Sequence, residues 1–346
     1  MKKILTATLV TLSLAACDND NHPSPTIIIA PVESHDYLPV PASAFGPALN
    51  EQGYYVAEIR DGIYWVTEGV YQAMFITTGE GVIVVDAPPT LGKKLLSAIA
   101  EVTEETISHV IYSHSHADHI GAASVFPDTA TVIAHEETAK RIERSQNQAI
   151  GDPYSFGMFL GGSDVPLPAI TFTEEYELTI GNKTLQLINA QDGHAPGNIF
   201  INIPEQKVLM VVDIIYPEWT PFGEMAQSEN MPAYLHAHEL LLNYDFDTLV
   251  SGHLGQLGTR EDVEKQLAYL RDITDNAATA LQTTDFNAIA TEYGQDNPWL
   301  LFEKYLDSVA DTCNEITLDT WAEQLAAADV FTKSHCAKMV ESLRID

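Results

Sequence analysis

Short apolar segments separated by turn residues recur along the chain up to residue 252, which is the pattern of β-strands. Strands are predicted at residues 54–59, 63–66, 73–77, 81–85, 107–112, 131–135, 178–180, 184–188, 198–201, 207–212 and 248–252. Helices are predicted between them, at residues 91–102, 136–146 and 232–243. This part of the chain is therefore expected to mix strands with helices.

The spacing of apolar residues becomes helical towards the C-terminus. A helix over residues 259–283 is expected to begin with Thr259 and Asp262, whose spacing resembles a capping box. Further helices are predicted at residues 297–309 and 318–342, so residues 285–346 form a helical extension. This extension could cover a site, support the sheets or mediate oligomerisation, and the pattern does not choose among these roles.

The N-terminus has two lysines, an apolar stretch and small residues before Cys17, which are the features of a signal peptide. The sequence Leu14-Ala-Ala-Cys17 resembles a bacterial lipobox, in which the cysteine is acylated. We therefore expect a signal peptide at 1–16 and a lipidated tether at 17–50 that holds the protein on the periplasmic side of a bacterial membrane. An ordinary signal peptide, giving a secreted or soluble periplasmic protein, is the alternative.

The chain contains three cysteines. If Cys17 carries lipid, Cys313 and Cys336 remain as an even pair in an oxidising compartment, and a disulfide between them is predicted.

The formal net charge of −32 bears on the choice of partner. Binding to phosphates depends on Lys and Arg contacts, so this charge disfavours nucleic acid and anionic membrane surfaces. The 346 residues, 45% of them hydrophobic, can bury a full core. We expect a small-molecule substrate, and contact with a membrane only through lipid at Cys17.

The most informative motif is His114-Ser-His116-Ala-Asp118-His119, which places four metal-binding side chains within six residues. His194, Asp213 and His253 each add one candidate ligand beside a predicted strand end. Zinc is held by nitrogen and oxygen ligands in near-tetrahedral sets, so seven ligands are too many for one ion. The simplest division has two ions: one set is His114, His116 and His194, the other is Asp118, His119 and His253, and Asp213 bridges them.

At these motifs the sequence resembles the metallo-β-lactamase-fold hydrolases, over about residues 55 to 275. The matching landmarks occur in order at Asp86, at residues 114–119, at residues 193–197, at Asp213 and at residues 252–253. The resemblance implies an α/β fold, a four-layer αβ/βα sandwich with the metals at one edge of the paired sheets, here over residues 51–284. Asp213 departs from the penicillin-hydrolysing members and is similar to the pattern of glyoxalase II and the lactone hydrolases.

The ligand set predicts hydrolysis by a metal-bound hydroxide, because a pair of zinc ions activates water and polarises a carbonyl oxygen. Iron or manganese is the alternative metal at one site. Asp118 and Asp213 would orient the nucleophile, and Asp118 could accept its proton. Asp86 is expected behind the ligands, accepting a hydrogen bond from a ligand imidazole. The substrate pocket is expected to be lined by aromatic and apolar side chains: Met158, Tyr216, Trp219 and Phe222.

Several substrates are compatible with such a site. A neutral or cationic lactone or ester suits an acidic protein with an aromatic pocket, and it is the preferred interpretation. A β-lactam is the second choice. A non-catalytic zinc-binding lipoprotein and a di-iron redox variant are further alternatives.

Overall fold

Two β-sheets packed face to face form the centre of the computed structural model, which describes residues 37–146 and 164–346. The first sheet has seven strands in sequence order: β1 (Tyr55–Arg60), β2 (Ile63–Thr67), β3 (Gln72–Thr77), β4 (Val82–Val85), β5 (Ile107–Ile111), β6 (Thr131–His135) and β7 (Ile170–Phe172). The second, in the order β13-β12-β11-β10-β9-β8, has six: β8 (Glu175–Ile180), β9 (Lys183–Asn189), β10 (Ile199–Ile203), β11 (Val208–Val211), β12 (Thr248–Val250) and β13 (Leu257–Gly258).

Parallel pairs in both sheets decide where the site lies. Strands β4, β5 and β6 run parallel, with Val84 opposite Val110 and Val110 opposite Val132. In the second sheet β11 and β12 are also parallel. Parallel strands end at the same edge of a sheet, so the segments that follow β4 and β5, and those that follow β11 and β12, leave their sheets side by side.

Helices cover the outer faces of both sheets. Their bounds are α1 (Lys93–Val102), α2 (Ala117–Ile120), α3 (Glu136–Gln146), α4 (Gly223–Gln227), α5 (Met231–Leu241), α6 (Arg260–Thr283), α7 (Phe286–Tyr293), α8 (Pro298–Trp321) and α9 (Ala328–Ile345). Short 3₁₀ turns lie at Ala42–Ala44 and Ala123–Val125. Among the helices of the described residues, none is both long and apolar enough to cross a membrane.

Three apolar clusters define the layers. Between the sheets, residues such as Ile83 and Ile111 pack against Ile201 and Met210. The other face of the first sheet packs against α1, through Leu95 and its neighbours. The other face of the second sheet packs against α5, α6, α8 and α9. The result is helix, sheet, sheet and helix, which confirms the predicted four-layer α/β arrangement with its C-terminal helices.

The helix boundaries of the extension differ from the prediction. Helix α8 continues to Trp321, through the predicted gap at 310–317, and the break falls at 322–327. The buried face of α8 in that gap is made by Ala310, Cys313 and Thr317, which are small or polar, so a search for large apolar residues misses it. Helix α7 and strands β7 and β13 were not predicted either.

The predicted disulfide between Cys313 and Cys336 is confirmed, and it joins α8 to α9 with Cα atoms 5.8 Å apart. The predicted capping box is also present at the start of α6, where the side chains of Thr259 and Asp262 satisfy backbone N–H groups. The disulfide links α8 to α9, and the capping box fixes where α6 begins.

The segment predicted as a tether is not free along its whole length. Nε1 of Trp219 donates a hydrogen bond of 2.8 Å to the carbonyl of Ala44, and the side chain of Gln256 donates to the carbonyl of Ser43. Residues 37–50 therefore lie on the globular body. The predicted end of the tether at residue 50 was too late, because backbone carbonyls can bind a surface without an apolar pattern that the sequence would show.

Candidate metal centre

Seven side chains singled out in the sequence converge at the shared edge of the two sheets. Within each of two groups the potential ligand atoms all lie within 4.8 Å of one another. One group is His114, His116, His194 and Asp213, and the other is Asp118, His119, His253 and Asp213. Because Asp213 belongs to both groups, the arrangement suits a dinuclear metal site.

In the first group the imidazoles lie around one oxygen of Asp213. Nε2 of His114 is 3.3 Å from Oδ2 of Asp213, and Nε2 of His194 is 3.5 Å from the same oxygen. Nε2 of His194 also lies 3.2 Å from Nδ1 of His116. His114 and His194 are buried, whereas His116 is partly accessible, so solvent reaches this group from the His116 side.

In the second group both oxygens of Asp213 take part. Nε2 of His119 lies 3.1 Å from Oδ2, and Nε2 of His253 lies 3.0 Å from Oδ1. The two imidazole nitrogens are 3.1 Å apart. Oδ2 of Asp118 lies 3.5 Å from Nε2 of His119 and 3.7 Å from Nε2 of His253. Asp118 and His253 are the more accessible members, so this group also opens to solvent.

These separations fit a cation within each group. Two ligand atoms on a tetrahedral zinc ion, each about 2.0–2.1 Å from it, are about 3.3 Å apart. The nitrogen–nitrogen separations of 3.1 Å and 3.2 Å are close to that value. Nε2 of His114 and Oδ1 of Asp213 are buried and neither has a neighbour in hydrogen-bond geometry, although Nε2 of His253 lies 3.0 Å from Oδ1. Such atoms are costly to bury unless something else satisfies them, and a metal ion would do so.

The protonation states of the first group match those that metal ligands need. Burial lowers the pKa of His114 to about 4, lowers the pKa of His116 and lowers that of His194 well below its ordinary value. A neutral imidazole has a free lone pair, so these three residues are ready to coordinate.

The second group attracts positive charge. Burial lowers the pKa of His119, but the charges of Asp213 and Asp118 outweigh burial and raise this pKa to about 10. Burial opposes ionisation of Asp213, yet His119 and His253 hold the pKa of its carboxyl well below the usual range. An ionised carboxylate buried among imidazoles favours a cation at this position.

The backbone explains why Asp213 and His253 reach the site. Asp213 follows β11 and has a φ of 63°, the left-handed region that Asp tolerates better than most residues. Gly252 precedes His253 with a φ of 88°, and a Cβ at this glycine would lie 2.7 Å from Cγ1 of Val212. Only glycine fits this approach, so it turns the chain sharply after β12 and delivers His253.

Asp86 lies directly behind the ligands, as predicted, but its predicted hydrogen bond is not formed. Its Oδ1 accepts a hydrogen bond of 2.8 Å from the backbone N–H of Ser113, which holds the start of the ligand loop. Its Oδ2 lies 4.0 Å from Nδ1 of His119, beyond hydrogen-bond distance. Burial raises the pKa of Asp86 to about 6, although the nearby His119 lowers it. The carboxyl thus faces a ligand imidazole without contacting it.

A cavity of about 350 Å³ opens from the candidate ligands. Three of the four predicted pocket residues, Tyr216, Trp219 and Phe222, line it. The fourth, Met158, lies outside the described residues. Apart from the candidate metal ligands, most of the other lining side chains are apolar, as small-molecule sites usually are: Val70, Ala226, Leu254, Ala327 and Phe331.

Two aromatic residues of the pocket were missed in the sequence. The hydroxyl of Tyr71 lies 3.4 Å from Oδ2 of Asp118, and its ring centroid is 4.6 Å from that of His253. Phe331 comes from α9 in the helical extension. Both residues are distant in sequence from the motifs that they approach, and no local pattern marks either of them.

Comparison with known proteins agrees with this architecture. The sequence profile of the metallo-beta-lactamase superfamily matches residues 66–253. The chain is 27% identical to the 2,4-dinitroanisole O-demethylase subunit alpha of Nocardioides sp. (strain JS1661), over 64% of this chain and 63% of that protein. It is 23% identical to the linear primary-alkylsulfatase of Pseudomonas sp. (strain ATCC 19151), over 57% of this chain and 44% of that protein. The chain thus spans less than two thirds of the length of these two relatives.

Solved structures show the same fold. A metallo-beta-lactamase from Pontibacter korlensis superposes with a TM-score of 0.52 at 19% identity, covering 62% of this chain and 97% of that one. A double mutant of the sec-alkyl sulfatase PisA1 superposes with a TM-score of 0.53 at 16% identity, covering 85% of this chain and 50% of that one. At these identities the likeness concerns the fold alone.

Proposed function

Because the chain belongs to the metallo-β-lactamase superfamily, we propose that it is a dinuclear metal hydrolase that opens a lactone or ester, with zinc as its metal. The observation that carries this proposal is the position of Asp213, which lies in both groups of candidate ligands. A carboxylate shared in this way suits two ions, and a metal pair about 3.5–4 Å apart is a common arrangement in hydrolytic sites.

When bound, two divalent ions would lower the pKa of a water molecule and polarise a carbonyl oxygen. The side chains of this protein would hold and orient the reactants. Asp118 is the accessible carboxylate of the cluster and faces the pocket, so it is placed to accept a proton from the attacking water. Tyr71, whose hydroxyl lies 3.4 Å from Oδ2 of Asp118, would keep that carboxylate in position.

The pocket supports a carbonyl substrate with an apolar substituent. Tyr216, Trp219 and Phe222 line it together with the ligands His194 and His253. An apolar cavity with a few convergent polar groups is the usual form of a site for a small organic molecule. The names of the two relatives concern an aryl methyl ether and an alkyl sulfate, so both chemistries belong in the test.

A substrate panel tests this proposal. Zinc-loaded protein is assayed with γ-lactones, aryl esters, a cephalosporin, a linear alkyl sulfate and 2,4-dinitroanisole. We expect turnover of lactones or aryl esters with kcat/KM at least about 100-fold above that of the other classes, a margin of about 2.7 kcal/mol in transition-state binding. Efficient turnover of the cephalosporin alone would instead assign the site to β-lactams, and no turnover of any carbonyl substrate would reject hydrolysis of this kind.

A variant pair keeps that result interpretable. Asp213→Asn should abolish turnover of every substrate in the panel, because the carboxylate charge shared by the two ligand groups is lost while the side-chain size is kept. Asp311→Asn is the matched control, since Asp311 is a half-exposed carboxylate paired with Lys333 on the helical extension. It should leave the panel unchanged.

We also propose that the protein is anchored by lipid at Cys17 on the periplasmic side of a bacterial membrane. The support is the sequence of residues 1–17, and the cysteine pair Cys313–Cys336 agrees with an oxidising compartment. Cys17→Ser should release the protein from the membrane fraction. Retention of this variant with the membranes would contradict the lipid anchor.

A further inference from the structure

The helical extension contributes directly to the cavity above the candidate metal centre. Ala327 and Phe331, at the start of α9, line the same cavity as His116 and His253. The ring of Phe331 lies 5.1 Å from that of Phe222, centroid to centroid, at a tilt of 57°. The two rings therefore form one continuous aromatic wall, of which half belongs to the extension.

The extension also holds the loop that carries Trp219 and Phe222. The backbone N–H of Thr220 donates a hydrogen bond of 3.1 Å to the carbonyl of Ala326, and the N–H of Ala326 donates one of 2.9 Å to the carbonyl of Glu218. These two bonds join the loop to the turn before α9.

Two side chains of α9 extend this support to α4. Nε2 of His335 lies 3.1 Å from the carbonyl of Phe222. Oγ of Ser334 accepts a hydrogen bond of 3.0 Å from the N–H of Glu224, and Glu224 is in the left-handed region with a φ of 57°. Because L-residues adopt this conformation only at a cost, the contacts from α9 keep this pocket wall in place.

The charge of the cavity restricts what it can bind. Among the described residues that line it there is no Lys or Arg. Arg141, which lies on α3, is already paired: its two terminal nitrogens lie 2.6 Å and 3.0 Å from the oxygens of Glu229. Away from the candidate metal ligands, an anionic substituent in this cavity would lose its hydration without gaining a Lys or Arg partner, which is unfavourable.

We propose that α9 and the loop before α4 form a specificity wall, and that the substrate is an ester or lactone whose remaining group is uncharged and apolar. The class of substrate rests on the proposed hydrolytic function, whereas the wall itself does not. Phe331 and Phe222 would contact the apolar group of the substrate. The absence of Lys and Arg among the described lining residues would disfavour carboxylate, sulfate and phosphate substituents.

A matched pair of esters tests the substrate class. 4-Nitrophenyl butyrate and mono-4-nitrophenyl succinate share a leaving group and have acyl chains of the same length, but the succinate carries a carboxylate. With zinc-loaded protein we expect kcat/KM for the butyrate to exceed that for the succinate by about 100-fold, since a buried unpaired charge is costly. Equal values for the two esters, or a preference for the succinate, would overturn the proposed selectivity.

A pair of variants tests whether the specificity wall contacts the substrate. Phe331→Ala should lower kcat/KM for the butyrate about tenfold, because one aromatic contact is lost. Val330→Ala is the matched control: Val330 is the neighbouring residue on α9, is 42% exposed and does not line the cavity. The control should change kcat/KM by less than about twofold, since exposed positions contribute little. An unchanged Phe331→Ala variant would overturn the role of Phe331.

Binding to the metal-free protein separates this inference from the proposed function. In calorimetric titration, 2-naphthol should bind the metal-free protein, and Phe331→Ala should weaken that binding about tenfold, whereas Val330→Ala should not. If no ester is hydrolysed but Phe331→Ala still weakens the binding of 2-naphthol, the proposed hydrolytic function is rejected and the specificity wall is supported. If esters are hydrolysed but 2-naphthol binds Phe331→Ala and Val330→Ala equally well, the specificity wall is rejected and the hydrolytic function is supported.

Discussion

Buried histidines occur in two regions of this molecule, and their surroundings differ. At the candidate metal centre, Nε2 of His114 and Nδ1 of His119 are buried without a hydrogen-bond partner. In the outer helices, Nδ1 of His238 lies 2.8 Å from the carbonyl of Tyr234 and its Nε2 lies 2.7 Å from the amide nitrogen of Gln266. His335 likewise uses both nitrogens, towards Tyr269 and towards the carbonyl of Phe222.

Burial alone therefore does not distinguish a ligand from a structural histidine. His238 and His335 are as inaccessible as His114, yet each has a complete set of partners within the protein. At the metal centre His114, His119 and His194 each have one buried ring nitrogen without a hydrogen-bond partner, and all three rings lie near Asp213, so the centre is arranged for a group that the chain does not supply. Function is expected where buried polar groups are left unsatisfied, and stability where they are satisfied.

The largest expected effect comes from removing a ligand. His194→Ala should lower kcat with the best panel substrate on the order of 1,000-fold or more, because one metal would lose a ligand. Zinc content, measured after dialysis, should fall with it. The free energy of unfolding of the metal-free protein should fall by less than in the His335→Ala variant below, because Nδ1 of His194 is buried without a hydrogen-bond partner in the protein.

The matched variant in the other region is His335→Ala. It leaves the hydroxyl of Tyr269 and the carbonyl of Phe222 with one partner fewer, so the free energy of unfolding should fall by about 2–3 kcal/mol. Zinc content should be unchanged. The proposed difference between the two regions would be contradicted if His335→Ala removed zinc. It would also be contradicted if His194→Ala destabilised the metal-free protein as much as His335→Ala does.

Removing the disulfide should change stability by a similar amount. Cys313 and Cys336 are 23 residues apart in sequence, and closing a loop of that length contributes about 3 kcal/mol. Cys313→Ser with Cys336→Ser should lower the free energy of unfolding by that amount in denaturant titrations. Zinc content should remain at the wild-type level, because neither cysteine is a ligand. A loss of zinc at temperatures where the variant is folded would show that the two regions are coupled.

The pH dependence of stability gives a smaller effect. Burial lowers the pKa of His335 to about 4, whereas an unfolded histidine titrates near 6.5. Between these values the unfolded state binds the proton and the folded state does not, so stability is full above about pH 6.5 and is lost as the pH falls. From pH 7 to pH 5 this residue alone should contribute a loss of about 2 kcal/mol.

The variant His335→Gln isolates that contribution, because glutamine does not titrate. Denaturant unfolding of both proteins at pH 7 and pH 5 should show a loss in the variant that is smaller by about 2 kcal/mol. His238, whose pKa burial also lowers to about 4, titrates in both proteins and cancels from the difference. Equal losses in the two proteins would show that His335 is protonated in the folded state.

The sequence predicted the candidate ligands and most strands because both are local signals. The ligand types are uncommon and follow apolar segments directly, so Asp213 and His253 could be placed at strand ends without knowing the fold. Tyr71 and Phe331 could not, since each approaches the site through contacts with residues far away in the chain. The break between α8 and α9 was misplaced for a different reason. The buried face of α8 is partly small and polar there, which hides its helical period.

The metal content of the full chain tests the central claim most directly. Purified protein is loaded with zinc and dialysed to remove unbound ions. Its zinc content is then measured by inductively coupled plasma mass spectrometry, and the protein is quantified by amino-acid analysis. Two groups of ligands that share Asp213 predict two zinc ions per chain. The Asp213→Asn protein should hold fewer than two under the same conditions. One ion or none in the wild-type protein would contradict a dinuclear site.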